Sequence, residues 1–140
     1  MRNMSFAMTT AQILNRTKTV TRRLGWANLK PGERVQAVVK AMGLRKGERL
    51  KKLCVIEIVK NEPEELEEIV RDQCRCLPLG MSTADRGCPV DCDRREVARE
   101  GFPDLTAEQF VEMFCQHMKV TPQTAVNRIV FKYVEEVPFR

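Results

Sequence analysis

The alternation of hydrophobic and polar positions predicts several β-strands that lie far apart in the chain. Near the N-terminus Met4, Phe6 and Met8 alternate with polar or small residues over positions 3–8, which is the period of a half-buried strand. A similar alternation, or an unbroken run of β-favouring residues, occurs in three more segments: 34–39, 53–59 and 129–134. The pattern therefore predicts a sheet assembled from distant parts of the sequence.

A short helix is predicted directly after the first strand. Thr9 and Gln12 have the spacing of a capping box, and Met8 and Ile13 stand where a hydrophobic staple would pack. A helix of about two turns is expected, ending at residue 14 or 15.

Two further helices are predicted in the second half of the chain. Segment 63–70, PEELEEIV, begins with Pro63 and is acidic in its first turns, so we expect a helix with a solvated face there. A clearer helix begins at Thr106, which forms a capping box with Gln109. Its apolar spacing predicts a buried stripe of Phe110, Met113, Phe114, His117 and Met118. We expect His117 in this stripe to be a core or cleft-wall histidine rather than a catalytic one.

These elements predict an α+β fold. Strands separated by long intervals, with helices inserted between them, favour a small mixed barrel or curled sheet over repeated βαβ units. A chain of 140 residues, 43% hydrophobic and 31% charged, is expected to form one globular domain, 1–140. No apolar run approaches the ~20 residues that a membrane span needs, and residues 1–10 lack the apolar core of a secretory signal. We therefore expect a cytoplasmic protein without membrane association.

The charge distribution favours a polyanionic or nucleotide partner. Lys and Arg outnumber Asp and Glu by 24 to 19, and the basic residues concentrate in segments 16–23 and 45–52. Concentrated basic patches suit phosphate groups. A tract such as segment 45–52 is most often a charged hairpin, although it could also bind phosphates and make affinity depend on salt.

The six cysteines of the chain fall into two groups. In a reducing cytoplasm they are expected to be thiols or metal ligands rather than disulfides. Cys54 and Cys115 lie within apolar periodicities and are interpreted as small core residues. The other four form two close pairs that could complete a tetrahedral zinc site or remain free thiols: Cys74, Cys76, Cys88 and Cys92.

The stretch NRTKTVTRRLGW, residues 15–26, carries the most informative motif. Lys18, Thr21 and Arg23 follow the first predicted helix, and their spacing resembles the signature Gly-x-Lys-x-x-Thr-x-Arg of the ASCH domain family. Arg16 stands where that signature has glycine. The segments around Glu100-Gly-Phe-Pro, 110–115 and 127–131 also resemble the family. The chain is thus similar to ASCH domains of the phage or prophage type, with a Cys-rich insertion at about 72–93.

The resemblance implies a fold and a site. The fold would be a PUA-like small mixed β-barrel of about five to six strands with flanking helices and a cleft between barrel and helices. Lys18 and Thr21 can enter one cleft only if Lys18 lies on the turn before a strand, because they would otherwise point to opposite faces. The expected cleft residues are Lys18, Thr21 and Glu100, together with ligand-binding Arg16, Arg22, Arg23 and Trp26.

Several functions remain open at this level. The first is a module that binds RNA, a nucleotide or a modified nucleobase or nucleoside in the cleft. The second is an amidohydrolase acting on N-acylated cytidine, with Thr21 as nucleophile, Lys18 as base and Glu100 as acid. The third is a phage protein that engages a host protein. Without a ligand, the same stretch would be a solvated basic strand, and Trp26 would cover the end of the barrel instead of stacking on a base.

Overall fold

Five strands form one mixed sheet in this computed structural model, which describes residues 2–40, 46–71 and 96–134. The strands are β1 Arg2–Ser5, β2 Val20–Arg23, β3 Arg34–Val38, β4 Lys52–Glu65 and β5 Ala125–Tyr133. The helices of the described residues are α1 Thr10–Leu14, α2 Glu68–Arg71, α3 Glu96–Arg99 and α4 Ala107–Met118, with a 3₁₀ turn at Ala7–Thr9.

The sheet is curled so that its two edge strands approach each other. The strand order is β1-β3-β4-β5-β2, with β1 parallel to β3 and the other neighbours antiparallel. The Arg23 guanidinium at the end of β2 nevertheless donates a hydrogen bond of 2.5 Å to the carbonyl of Ser5 at the end of β1. The expected α+β class, a small mixed sheet with flanking helices, is confirmed.

Two hydrophobic clusters hold the sheet and helices together. The first cluster fills the curl of the sheet, and its members include Met4, Phe6, Val35, Ile56, Ile129 and Phe131. The second packs α2, α3 and α4 against the far ends of β4 and β5, and its members include Leu66, Ile69, Val97, Phe110 and Val126. The boundary between the two clusters is where a cavity opens.

The first turn of helix differs from the sequence prediction. Thr9 does not cap α1 with its side chain; instead the Thr10 hydroxyl donates to the carbonyl of Phe6 at 2.9 Å. Gln12 is not available for a capping box because its amide donates to the carbonyl of Gly101 at 3.0 Å. Met8 is 50% exposed, so the predicted staple with the buried Ile13 is also wrong. The predicted end of the helix is confirmed at Leu14.

The predicted helix over 63–70 is wrong in its first half. Strand β4 continues through Pro63, which pairs with Asn127 of β5. Proline is tolerated there because β3 pairs with β4 only as far as Glu57, so no second neighbour requires the missing N–H. The helix that follows, α2, is one turn long, and Leu66 and Ile69 in this segment are fully buried. The segment is therefore a strand and a short packed helix rather than a solvated helical face.

The predicted start of helix α4 is confirmed, whereas its predicted apolar stripe is less buried than expected. The Thr106 hydroxyl accepts from the Gln109 amide N–H at 3.1 Å, and the Gln109 side chain accepts from the Thr106 N–H at 2.9 Å. Of the predicted stripe only Phe110 is fully buried, whereas His117 and Met118 are exposed. All five residues of the stripe line the cavity, and Phe110, Met113 and Phe114 also belong to or pack against the second cluster; His117 is therefore a cleft-wall residue, as expected.

The cysteine predictions are tested only in part. Cys54 and Cys115 are partly buried and pack against the first and second clusters respectively, as expected for small core residues. Cys74, Cys76, Cys88 and Cys92 lie outside the described residues. Within the described part of the chain no group of three or more His, Cys, Asp or Glu side chains is arranged to hold a metal ion, and none of the helices found there has the length and apolar character to cross a membrane.

Candidate ligand-binding site

A cavity of about 380 Å³ lies between the two hydrophobic clusters. Phe6 of the first cluster and Phe110 of the second both line it. Its size falls within the range of roughly 300–1,000 Å³ that small-molecule sites occupy. The ends of β1 and β2 form one side, and α4 forms the other.

The connection from α1 to β2 places the basic motif at this cavity. Arg16 and Thr17 follow the helix, and the backbone N–H groups of Thr17 and Lys18 both donate to the carbonyl of Gln12, at 2.9 and 3.3 Å. Lys18 therefore precedes β2, which begins at Val20. Lys18 and Thr21 both line the cavity, as the spacing argument requires.

Lys18 is buried and bound to Glu100. Its side chain is 4% exposed, and its ammonium donates to the Glu100 carbonyl at 2.6 Å and to Glu100 Oε1 at 3.2 Å. Desolvation lowers the pKa of Lys18 from its ordinary value, and the Glu100 carboxylate opposes that shift. The third N–H of the ammonium has no hydrogen-bond partner among the described residues.

Glu100 is fixed by the end of α3. Its N–H donates to the carbonyl of Glu96 at 2.9 Å, and Gly101, at φ 101°, then turns the chain away in a conformation that favours glycine. The N–H of Thr19 donates to the Arg99 carbonyl at 2.8 Å, which joins the start of β2 to this helix end. Two residues that are distant in sequence, Lys18 and Glu100, are therefore held in contact by backbone hydrogen bonds as well as by their side chains.

A buried ion-pair network lies behind the cavity. Three of its members were not predicted from the sequence: Glu64, Glu96 and Arg128. Arg22 and Arg128 are directly opposite each other on β2 and β5, where like charges repel. The Glu96 carboxylate lies between them and accepts from Arg22 at 2.9 Å and from Arg128 at 2.7 and 3.0 Å. Glu64 adds a second carboxylate, 3.0 Å from Arg22. The available signal is the four-residue spacing of Glu96 and Glu100, which places both on one face of a helical turn.

Arg22 belongs to this network more than to the cavity. It is 4% exposed and donates to Glu96 Oε2 at 2.9 Å and to Glu100 Oε2 at 2.7 Å, with Glu64 as an ion-pair partner. Burial acts to lower the pKa of Arg22, but the carboxylates of Glu100, Glu96 and Glu64 raise it. Arg22 therefore positions Glu100 in preference to reaching a ligand.

Arg23 is arranged differently. Its Nε donates to the Thr21 hydroxyl at 3.2 Å, and its guanidinium lies over the Phe6 ring at 4.7 Å from the centroid. Among the described residues no carboxylate oxygen lies within 4.0 Å of it. Desolvation lowers the pKa of Arg23 to about 10, against the attraction of Glu100. Arg23 lines the cavity and is the cation there without a carboxylate partner in the described chain.

Trp26 lines the cavity, and Arg16 is absent from its lining. Trp26 packs against the first cluster, and the Arg2 guanidinium lies 4.2 Å from the centroid of its ring. Arg16 adopts φ 62°, the left-handed conformation that suits the glycine of the family signature. Its guanidinium lies 5.5 Å from the Tyr133 ring, and the Tyr133 hydroxyl donates to the Lys18 carbonyl at 2.5 Å. The residues predicted for the cleft thus all line one cavity with the exception of Arg16.

The opposite wall is apolar. It is lined by Phe102, Phe110, Met113 and Phe114. Met8, Leu24 and Met118 also line the cavity while remaining 50%, 40% and 40% exposed, so they form an apolar rim at its mouth. The cavity combines a cationic floor with an apolar wall and rim.

Comparisons with known proteins concern the fold. No family model and no curated protein matches the sequence. Protein EF3133 from Enterococcus faecalis V583, described by the family model DUF984, is 11% identical with a TM-score of 0.51, over 95% of this chain and 79% of that chain. An ASCH domain from Lactobacillus crispatus JV V101 is 14% identical over 94% of this chain and 78% of that chain, and at a TM-score of 0.45 it adds nothing to the conclusion. The phage-type assignment stays a prediction, while the α+β fold expected of an ASCH-like chain is confirmed.

Proposed function

We propose that the protein binds a nucleobase or nucleoside, free or as an exposed base of RNA, in the cavity between β2 and α4. The observation that carries this proposal is the meeting of Lys18, Thr21 and Arg23 with a wall of aromatic side chains. Ligand sites of this size combine a mostly apolar lining with a few polar groups that fix orientation.

The polar side of the cavity offers what a base edge requires. Lys18 has an N–H group left for a ligand after its two bonds to Glu100. Thr21 is 4% exposed and has a hydroxyl that both donates and accepts. A base carbonyl or ring nitrogen in the cavity would find donors held in place by surrounding packing.

The apolar side offers stacking surfaces. Phe102, Phe110 and Phe114 are neighbours on this wall, with ring centroids 5.9 and 6.2 Å apart. Aromatic side chains bind bases by stacking worth about 1–3 kcal/mol per base. This wall supports a planar ligand better than a flexible aliphatic one.

Binding can be followed through the protein's own fluorescence. Trp26 is the only tryptophan in the chain and lines the cavity, so an occupied cavity should change its emission. We expect saturable changes with cytidine or uridine, confirmed by calorimetry. Thr21→Val and Phe114→Ala should each weaken binding about tenfold, whereas Arg34→Gln, at an exposed pair with Glu57, should leave it unchanged.

The opposing outcome is equally clear. If neither nucleosides nor short single-stranded RNA produce a saturable signal, the cavity does not bind bases and the proposal is wrong. Equal weakening by Arg34→Gln and Thr21→Val would place binding on the outer surface of the protein.

A second candidate function, hydrolysis of an N-acylated cytidine, is favoured by one observation. Lys18 is desolvated and its pKa is lowered, which favours the neutral amine that would accept the Thr21 proton. No hydrogen bond joins Lys18 to Thr21 in the structure, and Glu100 accepts from Lys18 and Arg22 with both carboxylate oxygens. Glu100 would have to release one of these cations to act as an acid, so binding is the better-supported function.

Turnover distinguishes the two candidates. Release of cytidine from N-acylated cytidine should be lost in Thr21→Val, which removes the hydroxyl at nearly constant volume. Absence of release by the wild-type protein across several acyl groups, with nucleoside binding retained, would exclude the hydrolase.

A further inference from the structure

We propose that the ligand of this cavity carries an anionic oxygen group, a phosphate or a carboxylate, and that Arg23 binds it. The inference rests on the proposed function and narrows its ligand class from any nucleobase or nucleoside to those that present an anionic group to the cavity. It follows from the distribution of charge around the cavity.

The buried charges behind the cavity balance without Arg23. In the described part of the chain three cations, Lys18, Arg22 and Arg128, face three carboxylates, those of Glu64, Glu96 and Glu100. Each of these cations has a carboxylate oxygen within 3.2 Å. Among the described residues Arg99 also contacts Glu96, at 3.5 Å, and is partly exposed. Among the described residues, these carboxylates are paired with cations other than Arg23, and none of them lies within 4.0 Å of its guanidinium.

Arg23 is held by neutral groups. Its partners are the Ser5 carbonyl, the Thr21 hydroxyl and the face of the Phe6 ring. These contacts orient the guanidinium and fill two of its five N–H donors, but none of them carries a formal charge. A partly buried charge without a counterion is unfavourable, and an anion in the cavity would relieve that cost.

The same contacts explain why Arg23 suits an oxyanion. The bonds to Ser5 and Thr21 lock the planar fork between the two edge strands, so a ligand need not order a flexible side chain. Guanidinium donors in a fixed plane match phosphate and carboxylate oxygens in pairs. Arg23 can therefore join the ends of β1 and β2 and bind an anion at the same time.

The test compares three related ligands on the wild-type protein by Trp26 fluorescence and calorimetry. They are uridine, uridine 5′-monophosphate and 6-carboxyuridine, which place no anion, an anion on the sugar and an anion on the base. We expect at least one anionic ligand to bind about tenfold or more tightly than uridine, as a charge-assisted hydrogen bond predicts. The anionic ligand that binds more tightly than uridine shows whether Arg23 binds a group on the sugar or on the base.

Variants assign the gain to Arg23. In Arg23→Gln the anionic ligand should lose its advantage over uridine, and Arg23→Lys, which keeps the charge but not the fork, should retain part of it. Arg2→Gln, which alters another cation beside Trp26, is the matched control and should leave the advantage intact. If Arg23→Gln does not fold, competition of inorganic phosphate with the anionic ligand on wild-type protein replaces it.

Two outcomes contradict the inference in distinguishable ways. If uridine binds as tightly as both anionic ligands, or if the advantage survives in Arg23→Gln, the inference is wrong and the proposed function stands. If neither the three ligands nor short single-stranded RNA binds, the proposed function is wrong and the inference falls with it.

Discussion

Arg16 shows how one side chain can occupy a position built for glycine. Left-handed backbone costs an L-residue roughly 1–2 kcal/mol, and Arg16 has φ 62°. Its stacking on Tyr133 offsets part of this cost, because a cation over an exposed ring contributes about 0.5–1 kcal/mol. The turn that positions Lys18 is thus kept despite the unfavourable residue.

Comparing Arg16→Gly with Arg16→Ala isolates the backbone cost. Both variants lose the stacking, but only alanine keeps a Cβ in the left-handed region. After the greater unfolded-state entropy of glycine is subtracted, the glycine variant should be more stable by about 1 kcal/mol, measured by urea denaturation. Equal stabilities would mean that the turn relaxes to a different conformation.

Lys18 should make stability depend on pH in the alkaline range. Its folded pKa is lowered from the ordinary value of 10.5, chiefly by desolvation. Between the folded pKa and 10.5 the unfolded chain binds a proton that the folded protein does not, so the free energy of unfolding rises with pH in this window. Below the folded pKa this gain is absent.

The comparison variant is Lys18→Met, which cannot titrate. The stability of the wild-type protein relative to Lys18→Met should rise as pH increases toward 10.5 and be constant at lower pH. Parallel stability curves for the two proteins would show that Lys18 keeps an ordinary pKa.

At the scale of elements, α3 is the piece that joins the two halves of the site. Glu96 and Glu100 extend from one helical turn to both cations of the β2–β5 pair and to Lys18. Removing one partner of a buried ion pair costs about 3–5 kcal/mol because the other charge is left uncompensated. We therefore expect Glu96→Gln to destabilise the fold by this amount, measured by thermal and urea unfolding.

An exposed ion pair supplies the control for that prediction. Glu62 lies 3.0 Å from Lys60, and both side chains are 51% exposed, so Glu62→Gln should change stability by no more than about 1 kcal/mol. A loss of under 1 kcal/mol for Glu96→Gln as well would mean that Arg22 and Arg128 find other partners or water.

Local sequence patterns predicted correctly the elements that depend on interactions between residues close in sequence. The capping box of Thr106 and the alternation in β3 and β5 are of this kind. The helix predicted from Pro63 was wrong because proline is tolerated in β4 where β3 no longer pairs with it. The capping box predicted for Gln12 was wrong because its side chain binds Gly101, far along the chain. The motif residues were predicted from family resemblance, whereas Glu64, Glu96 and Arg128 were missed because strand register and the packing of α3 bring them together.

The net positive charge of the molecule should make its affinity for a polyanion depend on salt. The chain carries +5, and Arg49, Lys51 and Lys52 are exposed next to the start of β4. Binding of single-stranded RNA should weaken as salt rises from roughly 50 to 200 mM, because bound counterions are released from phosphates. Replacing Lys51 and Lys52 with glutamine should reduce the salt slope by about one per lost phosphate contact. Salt-independent binding would exclude the phosphate contribution.

The zinc content of the purified protein tests whether the Cys-rich segment binds a metal ion. We expect one zinc ion per chain, held by Cys74, Cys76, Cys88 and Cys92, because two close cysteine pairs can form a tetrahedral thiolate site. Elemental analysis of protein purified without chelator measures this directly. Four freely titrating thiols with little bound zinc would favour the thiol interpretation.

Because β2 pairs with β5, the site can be completed only late in translation. Val20 finds its strand partner in Val130, and Lys18 finds Glu100 across 82 positions. During translation the N-terminal motif therefore leaves the ribosome long before the residues that complete its surroundings. Such non-local pairings fold slowly and leave strand edges open in the interval. The cavity is one of the last features a nascent chain can acquire, so a ligand can stabilise the finished protein but cannot guide its early folding.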